Sequence, residues 1–263
     1  MFRKRQVCVW VLAVQAFAAC VMLAHAQTPA GEAAQYRACL KQADVNADAA
    51  YDQALEWRDR GGGTPAAHCA ALALVALGKH GEAATRLQAL AETPGGRAMA
   101  SQLLGQAGNA WLLAGQPGNA YNALSAGLNT LDAAPGKSDG SERVDLLIDR
   151  AQALAALNRW DQAETDLSKA LSLDPENGPA YVFRASARRM QEKLEAALED
   201  LELALALSPK DATALLERGV IYRLMKKPGQ ARADWLAAIA AGPEDETANT
   251  ARRNLEMLDM KAE

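Results

Sequence analysis

Three arginines, Arg150, Arg184 and Arg218, stand 34 residues apart, and three aspartates, Asp166, Asp200 and Asp234, follow each of them by sixteen residues. A guanidinium offers a carboxylate two parallel N–H donors, so this pairing of types suits ion-pair formation better than catalysis. Two further arginines, Arg189 and Arg223, share the 34-residue interval. Cys39 and Cys69 have no Cys-x-x-Cys spacing, and His68 is the only histidine near them, too few ligands for a zinc shell. His80 stands alone. Gly61-Gly62-Gly63 lacks the spacing and the lysine of a phosphate loop, and no nucleophile motif or metal box is present. Hydrolysis of a glycan would need two acids facing one pocket roughly 5 to 10 Å apart. Carboxylates such as Glu195, Glu199 and Asp200 belong instead to solvated faces or to the ion pairs above. The expectation is no catalytic residue, no metal and no cofactor.

The same 34-residue interval runs through apolar and helix-breaking positions. Pro175, Pro209 and Pro243 mark helix stops. Ala163, Ala197 and Ala231 recur with them, as do Leu167, Leu201 and Trp235, then Ala170, Ala204 and Ala238, and finally Ala151, Ala185 and Gly219. A fixed period of this length is the mark of stacked repeats, each too small to bury its own apolar face alone.

Counted within a unit, these columns are a small residue at position eight, alanine at twenty, a large apolar residue at twenty-four, alanine at twenty-seven and proline at thirty-two. That pattern resembles the tetratricopeptide repeat, as does Leu-Ser-Leu-Asp-Pro at 171–175. Units starting at Val144, Gly178 and Ala212 fit well. Looser ones start near Thr64, with Gly78, Ala83 and Leu87, and near Ser101, with Gly108, Gly115, Ala120 and Leu124. A degenerate hairpin from about Ala33 to Arg60 precedes them. The resemblance implies an all-α fold: a right-handed solenoid of antiparallel helical hairpins with a C-terminal capping helix, read from Glu244 to about Met260. Regular units are expected over 144–243, degenerate hairpins over 27–143, and the cap and tail over 244–263. In such a hairpin positions seven and twenty-three lie level on facing helices, so each arginine of the first column should meet its aspartate.

The resemblance also implies that positions two, five, nine, twelve and thirteen of each first helix face an inner groove. The last four of these are Val182, Ser186, Arg189 and Met190 in one unit, and Leu216, Val220, Arg223 and Leu224 in the next. The stacked Arg189 and Arg223 would suit an extended peptide bearing a carboxylate. The family's clamp for a C-terminal carboxylate is not expected. Asn109 fits one of its places, but Gly105, Asp149, Pro179 and Phe183 occupy the others.

Arg3, Lys4 and Arg5 precede an apolar run from Val7 to Leu23, followed by Ala24-His25-Ala26, which reads as a signal peptide cleaved after Ala26. The alternative is an uncleaved anchor. The leader carries away three basic residues and no acidic one, moving the net charge from −4 to about −7 and arguing against nucleic acid as a partner. It also removes Cys8 and Cys20, leaving Cys39 and Cys69 as a pair in an oxidising compartment. A disulfide between them would stabilise the fold by roughly 3 kcal/mol. The expected function is a periplasmic or secreted scaffold that binds a protein or peptide through its groove. The alternatives are an accessory subunit presenting a cell-envelope or polysaccharide enzyme, and direct action on a glycan.

Overall fold

The computed structural model describes residues 29–133 and 140–260. The expected leader and its cleavage after Ala26 lie outside the described residues, as do residues 134–139 and the last three residues. Among the described residues there is no strand. Thirteen α-helices follow one another: α1 Pro29–Val45, α2 Ala47–Asp59, α3 Gly63–Ala76, α4 His80–Glu92, α5 Ala100–Leu113, α6 Pro117–Ala133, α7 Ser141–Ala156, α8 Trp160–Leu173, α9 Gly178–Met190, α10 Leu194–Leu207, α11 Ala212–Leu224, α12 Pro228–Ala241 and α13 Glu246–Asp259.

Local chemistry sets the ends of these helices. Asn177, Asp211 and Asp245, 34 residues apart, cap α9, α11 and α13 by accepting backbone N–H bonds from the first turn. Each stands two residues after one of the periodic prolines. From the second hairpin onward, the chain turns between the two helices through one left-handed residue, a glycine at Gly78 and Gly115 but Asn158, Glu192 and Lys226 in the last three hairpins.

Helices pair as α1/α2 through α11/α12, and α13 packs on α12 and α11. The small residue at position eight lets the two helices of a hairpin cross closely. A Cβ on Gly219 would overlap the Trp235 indole, whose Nε1 donates to the Leu216 carbonyl at 3.2 Å. Ala151, Ala163, Leu167 and Ala170 are buried, and so are their counterparts one and two periods later, Gly219 included. Burying such apolar surface between stacked hairpins is what holds the array together.

First helices also touch first helices: α5 packs on α7, α7 on α9, and α9 on α11. Successive second helices make no comparable contact. The closer spacing on the first-helix side bends the array, so α5, α7, α9 and α11 form its inner face.

Candidate functional site

The first charge column is consumed by the fold. Arg150 donates to both carboxylate oxygens of Asp166 at 2.7 and 2.9 Å, Arg184 to those of Asp200 at 3.0 and 2.7 Å, and Arg218 to those of Asp234 at 2.8 and 2.7 Å. All three aspartates are buried. The arginines also reach back one hairpin. Arg150 donates to Ser125 Oγ at 3.3 Å and Arg184 to Ser168 Oγ at 3.2 Å. The Arg218 guanidinium is held above its usual pKa chiefly by its bond to Asp234, with Glu202 of the preceding hairpin adding attraction. Arg188 adds a third layer, bonding Glu164 and Asp200 at 2.9 Å each. Burial works against the Glu164 carboxylate, but bonds from Lys193, Arg188 and Gln191 outweigh it and bring its pKa down to about 2.

The N-terminal end is fastened differently. Cys39 of α1 and Cys69 of α3 are joined as a disulfide with Cα atoms 6.3 Å apart. Beside it the buried His68 is bonded on both ring nitrogens, by Tyr36 of α1 at 2.5 Å and to Gln106 of α5 at 2.6 Å. Because the Gln106 oxygen only accepts, Nε2 carries the proton and Nδ1 accepts from the tyrosine hydroxyl. Among the described residues no cluster of histidine, cysteine and carboxylate could hold a metal ion.

On the inner face the expected groove residues divide. Met190 and Leu224 are exposed, and Leu216 and Val220 are half-buried against the core. Val182 is a correction: it is only 6% exposed and belongs to the core, because α9 rotates it towards its neighbours. Ser186 and Arg189 are a second correction. Both are bonded to Glu217 of the next first helix, at 2.7 and 3.0 Å, so Arg189 is neutralised within the fold and is not a free receptor for a ligand carboxylate. Arg223 has no carboxylate partner among the described residues, and its Nε is buried without a hydrogen bond.

A regularity connects neighbouring first helices. Position nine of one unit bonds a carboxylate at position six of the next. Ser186 meets Glu217 in this way, and Asn109 Nδ2 donates to Asp149 Oδ2 at 2.8 Å. The junction between them breaks the pattern. Position nine is Gln152, and position six is Phe183, 38% exposed. There a pocket of about 170 Å³ opens, lined mainly by Gln152, Ala155, Trp160, Leu167, Phe183 and Ser186. One junction earlier, Asp149 has its pKa raised to about 6. Burial is the chief cause, the Asn109 bond recovers part of it, and Asp145 one turn away adds repulsion. Glu217 has a cation where Asp149 has none, since the counterpart of Arg189 in that unit is Leu112.

Asp149 and Phe183 carried no binding role in the sequence reading, where they stood only as departures from the family's clamp. The legible signal was the position-six column itself, which runs Asp, Phe, Glu through three consecutive units.

Residues 144–177 match the tetratricopeptide repeat family, and the solved structures that resemble the array include one described as a protein of this repeat. The chain carries a tetratricopeptide repeat and has the fold of such arrays. This repeat protein aligns with YrrB, described as a TPR protein with an unusual peptide-binding site, at a TM-score of 0.52 and 19% identity over 72% of this chain and 91% of that one. MamA from residue 41 onward, of Desulfovibrio magneticus RS-1, gives a TM-score of 0.55 at 16% identity, over 74% and 98% of the two chains. Cut9–Hcn1, an APC/C hetero-tetramer, gives 0.62 at 17% identity, over 84% of this chain and 42% of that one. These likenesses show the fold. A sequence comparison with curated proteins finds no match.

Proposed function

We propose that this chain is an exported scaffold, periplasmic or secreted, that holds a segment of another protein against the inner face of its first helices. The observation that carries the proposal is the set of side chains the fold leaves unused there. Phe183, Met190 and Leu224 are large apolar residues in water, and Arg223 lies among them without a carboxylate partner. The recurring arginine and aspartate columns are spent on the fold, whereas these side chains on the inner face are not, so they read as an interaction surface. The peptide-binding site described for YrrB, which shares the fold, supports the same use of the array. Export is supported by the leader-like N-terminus and by the Cys39–Cys69 disulfide, which persists in an oxidising compartment.

The test joins binding to location. Fractionation of cells carrying the tagged full-length chain should find it in the envelope or medium with both thiols protected from alkylation. Bait made from the triple variant Phe183→Asp, Met190→Asp, Leu224→Asp, with an unchanged melting temperature, should lose proteins that the wild type retains. Equal capture by both baits refutes the inner-face assignment, and a cytoplasmic chain with free thiols refutes export.

A further inference from the structure

Building on that reading, we infer the chemistry of the segment held: an extended stretch with an aliphatic or aromatic side chain in the Phe183 pocket and a lysine or arginine, two or three residues away, at Asp149. The inference starts from the two kinds of inner-face junction. Where α9 meets α11, position nine, the carboxylate and a cation are all supplied by the protein, through Ser186, Glu217 and Arg189. Where α5 meets α7, position nine and the carboxylate are present as Asn109 and Asp149, and the cation is not. Asp145, exposed on the same face one helical turn away, doubles the uncompensated negative charge. A cation from outside completes this junction as Arg189 completes the other, and a partly buried carboxylate rewards it more than a solvated one does.

The adjacent junction specifies the second element. Phe183 replaces the carboxylate, Gln152 has no acceptor there, and the 170 Å³ pocket with its mainly apolar lining fits one side chain rather than a whole ligand. Breaks in a pattern obeyed on both sides are where function is expected to override local regularity. The spacing follows from packing. Neighbouring helices lie about 8 to 10 Å apart, and an extended chain covers about 3.3 to 3.6 Å per residue. One junction to the next is therefore two to three residues.

The test is selection of displayed random dodecapeptides against the purified chain, expressed from its full-length sequence, followed by titration of enriched peptides by fluorescence anisotropy. Enriched peptides should pair a lysine or arginine with an apolar residue at that spacing. Asp149→Asn, which keeps an acceptor for Asn109, should weaken them roughly tenfold. Asp145→Lys, at an exposed position, should weaken them as well, and Ala155→Phe should fill the pocket and abolish binding. Peptides that are lost with Phe183→Asp but show no basic preference, or are indifferent to Asp149→Asn and Asp145→Lys, overturn this inference and leave the scaffold reading standing. No enrichment, or enrichment unaffected by any inner-face variant, overturns both.

Discussion

Asp149 is the residue whose environment is most at odds with its charge. Its carboxyl is raised to about 6 by burial, against the Asn109 bond and with help from Asp145. Between the ordinary carboxylate value and about 6, the folded chain holds a proton that the unfolded chain has released. The stability contributed by this group is therefore complete at low pH and is lost as pH rises through its folded value. Asp149→Asn removes the ionised form at little cost in shape. The variant should unfold at higher urea concentration than the wild type at about pH 8, by at most about 3 kcal/mol, with the gap closing towards about pH 4. A gap that stays constant with pH would mean that the carboxylate is ionised without penalty. The same penalty is what a ligand cation relieves, so a residue that costs stability at neutral pH is the one from which binding specificity gains.

At the scale of helices and hairpins, the ion pairs differ in how much depends on each. Asp200 is shared by Arg184 and Arg188, whereas Asp234 has Arg218 alone among the described side chains. Arg218→Ala leaves a buried carboxylate unpaired and should cost about 3 to 5 kcal/mol, while Arg184→Ala, with Arg188 still in place, should cost clearly less. Thermal unfolding of the two variants decides it, and equal losses would show that Arg188 contributes nothing. The hairpin turns offer a gain instead. Lys226 adopts φ +58°, where earlier turns use glycine, so Lys226→Gly should raise stability by about 0.5 to 1 kcal/mol, read from the same melts. These elements were legible because they repeat: the Arg/Asp columns, the prolines and the small position-eight residues are each tied to one unit and recur with it. Arg189 misled because its partner is 28 residues away in the next unit, at a position whose residue changes from Asp149 to Phe183 to Glu217. A period reveals what every unit shares. The groove is made of what individual units do not share, and contacts between repeats at varying positions leave no column to read.

For the molecule as a whole, each hairpin touches only its neighbours, so stability is distributed along the array and ends are weaker than the middle. The two ends are closed by different means. At the C-terminus, α13 covers the last hairpin, with Asp245 capping it and Ala248 and Ala251 buried beneath it. At the N-terminus the first hairpin departs most from the repeat pattern, and covalent and polar fastenings compensate: the Cys39–Cys69 disulfide and the Tyr36–His68–Gln106 chain together tie α1 and α3 to α5. The disulfide closes a loop of 30 residues, which corresponds to about 3 to 4 kcal/mol in the chain-entropy account. In a globular core that loss would be felt everywhere. In this array it should stay near its origin, because among the described helices none beyond α5 packs appreciably on α1 or α3. Replacing both cysteines by serine, or reducing the bond, should therefore speed amide hydrogen exchange through α1, α2 and α3. Exchange in α9 to α12, and binding to the inner face, should be unchanged. Faster exchange along the whole chain would show instead that the array unfolds as one cooperative unit, and that the N-terminal bolt sets the stability of the groove.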